Sequence, residues 1–277
     1  MREVPLQPSA QLLRSAASLS FALAVSFSVC ADPTPDARQI VSDLEARFDS
    51  FSSLSFEVSR TTRKSDQSQA DKWVFTYKKP DKLRIDYLEP HKRTIVASAT
   101  ELVEYIPQLK KAMKTDLRET PESDRSKIIA RSTAPVALMG LRLDTIGGSN
   151  PAELSPTLVG EETIDGAKTY RIELRTEAKQ AVGNEATAWI DPLRQVLVRS
   201  EARDERGNML FSTEAGRFRE IEEDVWFPGL IEVRKYGSSS TTETCRLRNI
   251  QVNMPVPDTV FSVELPENTE LTIVEGR

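Results

Sequence analysis

Apolar residues recur at every second position in many short stretches of this chain, and such alternation is typical of strands with one buried face. Between residues 54 and 106 the alternation predicts five strands joined by turns such as Pro80-Asp81. Further on it resumes between turn sequences such as Asp165-Gly166. The predicted strands are 54–58, 73–77, 83–87, 94–98, 102–106, 169–175, 186–190, 195–201, 209–213, 231–236 and 243–251, with a short terminal segment near Phe261.

Two segments have helical spacing instead. Thr34 is a suitable cap and Pro35 suits a first helical position, and apolar residues then recur at helical intervals as far as Phe51. One or two short helices are predicted within 124–141, interrupted by Pro135. The charged face of the first helix is predicted to lie in water, and its residues are Arg38, Asp43, Glu45 and Arg47.

These elements predict an α+β fold. The expected architecture is one large, strongly curved antiparallel sheet of about 11 strands with the helices packed on its concave face; the open half-barrel with these helices as a lid is what the family resemblance described below implies. The chain has 277 residues, 39% of them hydrophobic, which suffices for a single domain over residues 32–277.

Residues 1–31 differ from the rest and predict a secretory signal peptide. Arg2 and Arg14 precede the uncharged run "SAASLSFALAVSFSVCA", and Val29 and Ala31 are small residues at the two positions that matter for cleavage. We expect cleavage after Ala31 and a periplasmic mature protein. The alternative is a lipid anchor at Cys30.

Charge and cysteine content exclude several classes of protein. The net charge is -5 and no basic stripe is present, which argues against a nucleic-acid partner. Two cysteines, Cys30 and Cys245, cannot form a disulfide framework, and the alternation around Cys245 predicts a buried strand residue. The acidic stretch from Glu220 to Asp224 is predicted to be a solvated turn, with a calcium site as the alternative.

The inventory of catalytic groups is small. His91 is the only histidine, and neither a Ser-x-x-Lys nor a Gly-x-Ser-x-Gly motif occurs. One histidine and at most one mature cysteine are too few for an ordinary zinc site. The sequence therefore predicts a protein that is not an enzyme and that carries no cofactor or metal.

The alternating strands supply more apolar surface than a few short helices can cover. For any single residue, burial in the core is the ordinary explanation. Taken together, the residues predict an apolar cavity for an acyl chain or another hydrophobic ligand. The candidate lining residues are Phe56, Val58, Trp73, Phe75, Tyr77, Leu83, Ile85, Tyr87, Ile95, Tyr105, Leu138 and Met139.

The stretch "WVFTYKKPDKLRIDYLEPHKRTIVASATELVEYIPQLKKAMK" resembles the LolA-type family of periplasmic lipoprotein carriers. The matching features are Lys79-Pro80, the strand from Leu83 to Tyr87, Pro90 and Tyr105-Ile106-Pro107. In the second half, "YRIELR", "AWIDPLRQVLVRSEARDERGN" and "PDTVFSVELPENTEL" are similar to the final strands of the wider lipoprotein-sorting group.

The resemblance implies an open barrel that takes up the acyl chains of lipoproteins without covalent chemistry. It further implies a monomer that works between an inner-membrane donor complex and an outer-membrane acceptor. In that family an arginine before the proline holds the lid shut. The matching position here is Lys79, a point-charge donor where arginine offers a planar fork.

Three functional hypotheses follow. The first is a carrier of lipid-modified protein or free lipid. The second is a sensor or assembly module of the cell envelope that binds a partner protein through a sheet edge or the lid. The third is an envelope hydrolase, which would need His91 or a carboxylate pair.

Overall fold

The computed structural model describes residues 35–121, 154–176 and 185–275. The predicted signal peptide, Cys30, the helical region within 124–141 and the candidate lining residues Leu138 and Met139 lie outside the described residues. Within the described ranges, no helix has the length and apolar content needed to cross a membrane.

One α-helix, α1 (Ala37–Ser50), precedes the strands in the described part of the chain. Asp36 starts it, because its Oδ1 accepts a hydrogen bond of 3.0 Å from the backbone N–H of Arg38, a donor without a partner inside the helix. Short 3-10 helices span Pro107–Leu109 and Asp258–Phe261, so the segment near Phe261 is not the strand that alternation predicted.

The described strands are β1 (Ser53–Lys64), β2 (Gln67–Lys78), β3 (Lys82–Glu89), β4 (Arg93–Ala97), β5 (Glu101–Ile106), β6 (Lys111–Asp116), β7 (Leu154–Ile164), β8 (Ala167–Thr176), β9 (Glu185–Asp191), β10 (Val196–Arg203), β11 (Met209–Gly216), β12 (Arg219–Glu222), β13 (Val225–Phe227), β14 (Leu230–Lys235), β15 (Thr241–Val252) and β16 (Glu270–Glu275).

In the described residues, 14 strands form one sheet in the order β16-β6-β5-β4-β3-β2-β1-β15-β14-β11-β10-β9-β8-β7. The large open sheet is therefore confirmed, whereas the count of about 11 strands is wrong. The missed strands are β6, β7 and β16, which lie at or beside the two edges, where a strand needs no regular apolar alternation. The sheet is also mixed rather than purely antiparallel, because β16 pairs in parallel with β6.

Apolar side chains on one face of the sheet converge. Directly paired residues share a face, so Phe56, Phe75, Ile85 and Ile95 form a row across β1 to β4. This row packs into a single buried cluster with residues of β14 and β15, which requires the sheet to bend towards that face. We call that face concave and the group the hairpin-covered cluster. Its buried members are Phe51, Leu54, Phe56, Val58, Trp73, Phe75, Ile85, Ile95, Ala97, Leu102, Leu117, Phe227, Ile231, Val233, Cys245, Leu247, Ile250 and Val252.

Helix α1 packs on the same concave face, over the other half of the sheet. Directly paired residues lie on the same face of a sheet. Val233 of β14 pairs with Thr213, Thr213 with Ser200, Ser200 with Ala188 and Ala188 with Ile172, so all five lie on the concave face. The predicted position of the first helix is thus observed. We call this second group the helix-covered cluster, and its buried members are Ala37, Val41, Leu44, Ile172, Leu174, Ala188, Ile190 and Leu197.

The chain crosses the opposite, convex face after β15. Arg84 Nη1 donates hydrogen bonds to the carbonyl oxygens of Val260 and Ser262, at 2.8 and 3.1 Å. Hydrogen bonds from Lys78 and Lys82 lower the pKa of Asp258 to about 2. These contacts hold the segment that leads from β15 across β3 to β16.

Candidate functional site

Most of the predicted lining residues lie together under the concave face. Six of them are no more than 2% exposed, namely Phe56, Val58, Trp73, Phe75, Ile85 and Ile95. Tyr77, Leu83 and Tyr87 are half-buried and pack against the same cluster. Tyr105 lies on the convex face, because it pairs with Thr94, the neighbour of the concave-facing Ile95.

A two-stranded hairpin formed by β12 and β13 covers part of this cluster. Phe227 is 2% exposed and its ring lies 5.7 Å from that of Phe51. Ile221 and Val225 pack against the cluster as well. The predicted solvated turn is observed for the acidic side chains, which are exposed, but the alternating apolar residues between and after them form a cover over the concave face. In the sequence, this alternation of apolar and acidic residues was the signal that could have predicted the hairpin.

The hairpin is inserted at a turn between two adjacent strands of the main sheet. β11 and β14 pair as far as Gly216 opposite Leu230, and the Gly229 N–H donates to the Gly216 carbonyl oxygen at 3.1 Å. A Cβ at Gly229 would lie 3.0 Å from the Arg217 carbonyl oxygen, so glycine suits this neck. The hairpin therefore leaves and rejoins the main sheet between paired residues, and Arg219 of β12 donates to the Leu247 carbonyl oxygen of β15 at 2.8 Å.

Arg47 ties this hairpin to helix α1. Its Nη1 donates to the Gln195 carbonyl oxygen at 2.7 Å, and its Nη2 donates to the carbonyl oxygen of Trp226 in β13. The guanidinium carbon lies 5.6 Å from the centre of the Phe227 ring. Burial lowers the pKa of Arg47 to about 10. The prediction that Arg47 faces water is wrong, because its side chain bridges α1, the β9–β10 turn and the hairpin.

Arg194, in the turn between β9 and β10, also contacts the hairpin. Its guanidinium carbon lies 5.0 Å from the centre of the Trp226 ring and 5.9 Å from that of Phe218. Its Nη1 lies 3.5 Å from a carboxylate oxygen of Asp191. Two arginines from different elements therefore hold one short hairpin.

Lys79, the predicted lid latch, is exposed directly after β2. Its backbone N–H donates to the Ser52 carbonyl oxygen at 2.9 Å. A latching role for its side chain stays a prediction. The contacts to the hairpin described above come from Arg47 and Arg194.

One end of the concave face is polar. Arg60 lies 3.1 Å from Asp71 and 3.4 Å from Glu243, and its guanidinium carbon is 5.1 Å from the centre of the Trp73 ring. Cys245 is buried beside them, as predicted, and burial raises the pKa of its thiol to about 12. A thiol with that pKa stays protonated at neutral pH and is a poor nucleophile.

The described residues form one small cleft beside helix α1. A cleft of about 60 Å3 opens between α1 and the β9–β10 turn, lined by Ile40, Asp43, Leu44, Ile190, Pro192 and Gln195. Pockets that bury a drug-sized ligand are roughly 300–1,000 Å3. This cleft is therefore too small for an acyl chain, and the side chains of the hairpin-covered cluster are buried.

His91 is exposed between β3 and β4. Among the described residues, no group of three or more His, Cys, Asp or Glu side chains is arranged to hold a metal ion. The candidate site in the described residues is therefore a large apolar face with the β12–β13 hairpin over part of it.

A protein-family model described as "Uncharacterized protein" matches residues 120–265, which is more than half of the chain. The chain belongs to that family. No curated protein sequence matches the chain.

Solved structures that include a LolA superfamily protein share the fold of this chain. A LolA superfamily protein from Nitrosomonas europaea has 14% sequence identity and a TM-score of 0.54, over 83% of this chain and 99% of that one. A putative outer-membrane lipoprotein-sorting protein domain from Vibrio parahaemolyticus has 9% identity and a TM-score of 0.59, over 81% and 95%. A DUF1329 family protein from Desulfovibrio piger has 13% identity and a TM-score of 0.59, over 82% and 95%. The predicted LolA-type resemblance is thereby confirmed at the level of the fold.

Proposed function

We propose that this protein is a periplasmic carrier that holds the acyl chain of a lipoprotein or lipid against the concave face of the sheet and passes it towards the outer membrane. The ligand displaces the β12–β13 hairpin and lies on the hairpin-covered cluster. One observation carries the proposal: part of the apolar cluster on the concave face is covered by a small hairpin that joins the main sheet at Gly216 and Gly229.

The free energy needed to open the hairpin and the free energy gained by burying an acyl chain are of the same order. Reversible binding and release need such a balance. Exposing the buried side chain of Phe227 costs about 1.5–3 kcal/mol, and exposing the half-buried side chains of Ile221 and Val225 costs less. An acyl chain of about 14 methylenes gains roughly 11 kcal/mol on burial, at about 0.8 kcal/mol per methylene. Ligand binding can therefore offset hairpin opening, while the closed cover keeps the face out of water when no ligand is bound.

The role requires binding and release but no covalent step. An outer-membrane lipoprotein-sorting domain shares the fold, which supports an acyl chain as the ligand. The partners that this role implies are a donor at the inner membrane and an acceptor at the outer membrane. Within the proposal, the lining consists of the concave-facing candidates, and Tyr105 on the convex face is left out.

The experiment is removal of the hairpin. Deleting residues 218–228 joins Arg217 directly to Gly229, which leaves a two-residue turn between the paired residues Gly216 and Leu230. Arg217 already has a positive φ of 56°, and Arg217→Asn creates the Asn-Gly sequence that such turns favour. The sheet should therefore close without its cover.

Binding of a fluorescent fatty acid and of a palmitoylated peptide is measured by titration. We expect the deleted variant to bind at least about tenfold more tightly, because its apolar face no longer has to be opened. Glu222→Gln, an exposed change on the same hairpin, is the matched control and should bind like the parent chain. If neither the parent nor the deleted variant binds either probe, the carrier proposal fails. Equal affinity of the two would refute the covering role of the hairpin.

A further inference from the structure

The indole N–H of Trp73 has no hydrogen-bond partner among the described residues. Trp73 is 1% exposed within the hairpin-covered cluster, and its Nε1 atom is buried. The guanidinium carbon of Arg60 lies 5.1 Å from the centre of the Trp73 ring, but a guanidinium has only donors and cannot accept this hydrogen. Trp189, on the convex face, shows the usual arrangement, because its Nε1 donates to Glu162 Oε2 at 2.8 Å. Buried donors in native structures are almost always paired, so the indole of Trp73 is a candidate site for an acceptor on a ligand.

Trp73 lies where the concave face changes from apolar to charged. Alternate residues of a strand share a face, so Asp71, Trp73 and Phe75 of β2 all lie on this one. Phe75 stacks on Phe56 of β1, with 4.8 Å between the ring centres, and this pair belongs to the apolar part. Asp71 is paired across the strands with Arg60 and forms an ion pair with it at 3.1 Å. An amphiphilic ligand placed along β2 therefore has apolar surroundings on one side of Trp73 and polar surroundings on the other.

The charged part of this face balances its own charges. Arg60 lies 3.4 Å from Glu243 in addition to its contact with Asp71, and Lys235 Nζ lies 2.6 Å from Glu243. Two cations and two anions leave this group of four side chains without net charge. An anionic head group placed here would meet two carboxylates whose cations are already paired, so the group suits an uncharged polar head.

The geometry points to Trp73 Nε1 as the donor to the carbonyl oxygen of an ester- or amide-linked acyl chain. The chain lies on the apolar side of Trp73, towards Phe75, and the uncharged group to which it is linked lies beside Arg60 and Asp71. This inference rests on the proposed carrier function and adds to it the linkage and the orientation of the ligand. A carbonyl oxygen supplies the acceptor that the indole needs and brings no charge to the balanced ion pairs.

The test uses the mature chain with 15N-labelled tryptophan and three probes of similar length. Methyl palmitate carries an uncharged ester, octadecane has the same number of chain atoms without a carbonyl, and palmitate carries a carboxylate. Methyl palmitate should move the indole N–H proton resonance of Trp73 downfield, because this hydrogen forms a new bond, and octadecane should not. The resonance of Trp189, whose indole is already bonded to Glu162, is the internal reference and should stay in place with both probes.

Affinities are measured by displacement of the fluorescent fatty acid. Trp73→Phe removes the donor and keeps an aromatic ring, and it should weaken binding of methyl palmitate about fivefold more than binding of octadecane. The ratio of the two affinities separates the lost hydrogen bond from lost packing, because lost packing weakens the binding of both probes. Trp189→Phe, the same change on the convex face, is the matched control and should leave this ratio unaltered.

Three results would each overturn this inference while leaving the carrier function in place. They are an unchanged affinity ratio in Trp73→Phe, an unmoved Trp73 resonance with methyl palmitate, and tighter binding of palmitate than of methyl palmitate. Absence of binding of all three probes to the parent chain would overturn both proposals. If Trp73→Phe does not fold, the Trp73 resonance and the comparison of palmitate with its methyl ester in the parent chain decide the question.

Discussion

The two halves of the concave face differ in how their apolar side chains are covered. Over the helix-covered cluster, α1 contributes Ala37, Val41 and Leu44 as buried residues. Over the hairpin-covered cluster, part of the cover is a hairpin that joins the sheet at Gly216 and Gly229. The first arrangement is that of an ordinary core. The second covers part of an apolar surface with a separate hairpin, and the proposed ligand binding belongs to that half.

The largest expected effect comes from the same substitution in each half. Ile85 in the hairpin-covered cluster and Ile172 in the helix-covered cluster are both 0% exposed on the concave face. Truncation of either to alanine should lower the free energy of unfolding by about 2–5 kcal/mol, as measured in urea. Only Ile85→Ala should also weaken fatty-acid binding, because only its side chain lies in the proposed lining.

Together, Ile85→Ala and Ile172→Ala test directly whether the two halves of the concave face differ in ligand binding. A loss of affinity in Ile172→Ala that equals the loss in Ile85→Ala, measured on fully folded protein, would mean that the two halves are not functionally distinct. Unchanged affinity in both variants would place the ligand elsewhere.

A smaller effect is expected at the tie between helix and hairpin. Arg47→Met keeps the apolar stem of the side chain and removes its donors to Gln195 and Trp226. Hydrogen bonds from a charged group contribute about 1.5–3 kcal/mol. Hydrogen exchange of residues 219–227 should therefore quicken by about tenfold or more, and acyl-chain affinity should rise because opening costs less.

Lys79→Met is the matched change at the position that the family resemblance suggests. We expect exchange of the hairpin to change less in this variant than in Arg47→Met, because Lys79 is exposed directly after β2, whereas Arg47 donates to Trp226 within the hairpin. Faster exchange in Lys79→Met than in Arg47→Met would return the latch to Lys79.

The smallest effect is expected for Arg194→Ala. The guanidinium stacks on the Trp226 ring from a partly exposed position, and such contacts contribute about 0.5–1 kcal/mol. Exchange of the hairpin should quicken less than in Arg47→Met, with no change at Ile172 or its neighbours in β8. An effect spread equally over β8 would show that Arg194 stabilises the helix-covered half instead.

Periodicity was sufficient for much of the fold, because α1 repeats at helical intervals and the strands from 54 to 106 alternate regularly and pair with their neighbours in sequence. Long-range geometry was not accessible in this way. Arg47 looks like a water-facing residue in a helical pattern, and its burial depends on acceptors 148 and 179 residues away in the chain. β16 is apolar, but its parallel pairing with β6 is set by the path of the segment after β15.

The candidate site was predicted in part for the same reason. Alternation correctly put Phe56, Phe75 and Ile85 on one face. The hairpin was missed because its exposed acidic residues outweighed the apolar alternation of Ile221, Val225 and Phe227. A hairpin of only a few residues, with one solvent-exposed face and one apolar face, has the same amino-acid composition as a solvated turn.

The most direct test of the central claim is photo-crosslinking of a diazirine-bearing fatty acid to the mature protein, with the labelled residues located by mass spectrometry. We predict adducts on concave-facing residues of β1 to β3, such as Phe56, Phe75 and Ile85, and stronger labelling in Arg47→Met. Labelling confined to the helix-covered cluster, or to convex-face residues such as Val96 and Val103, would contradict the account.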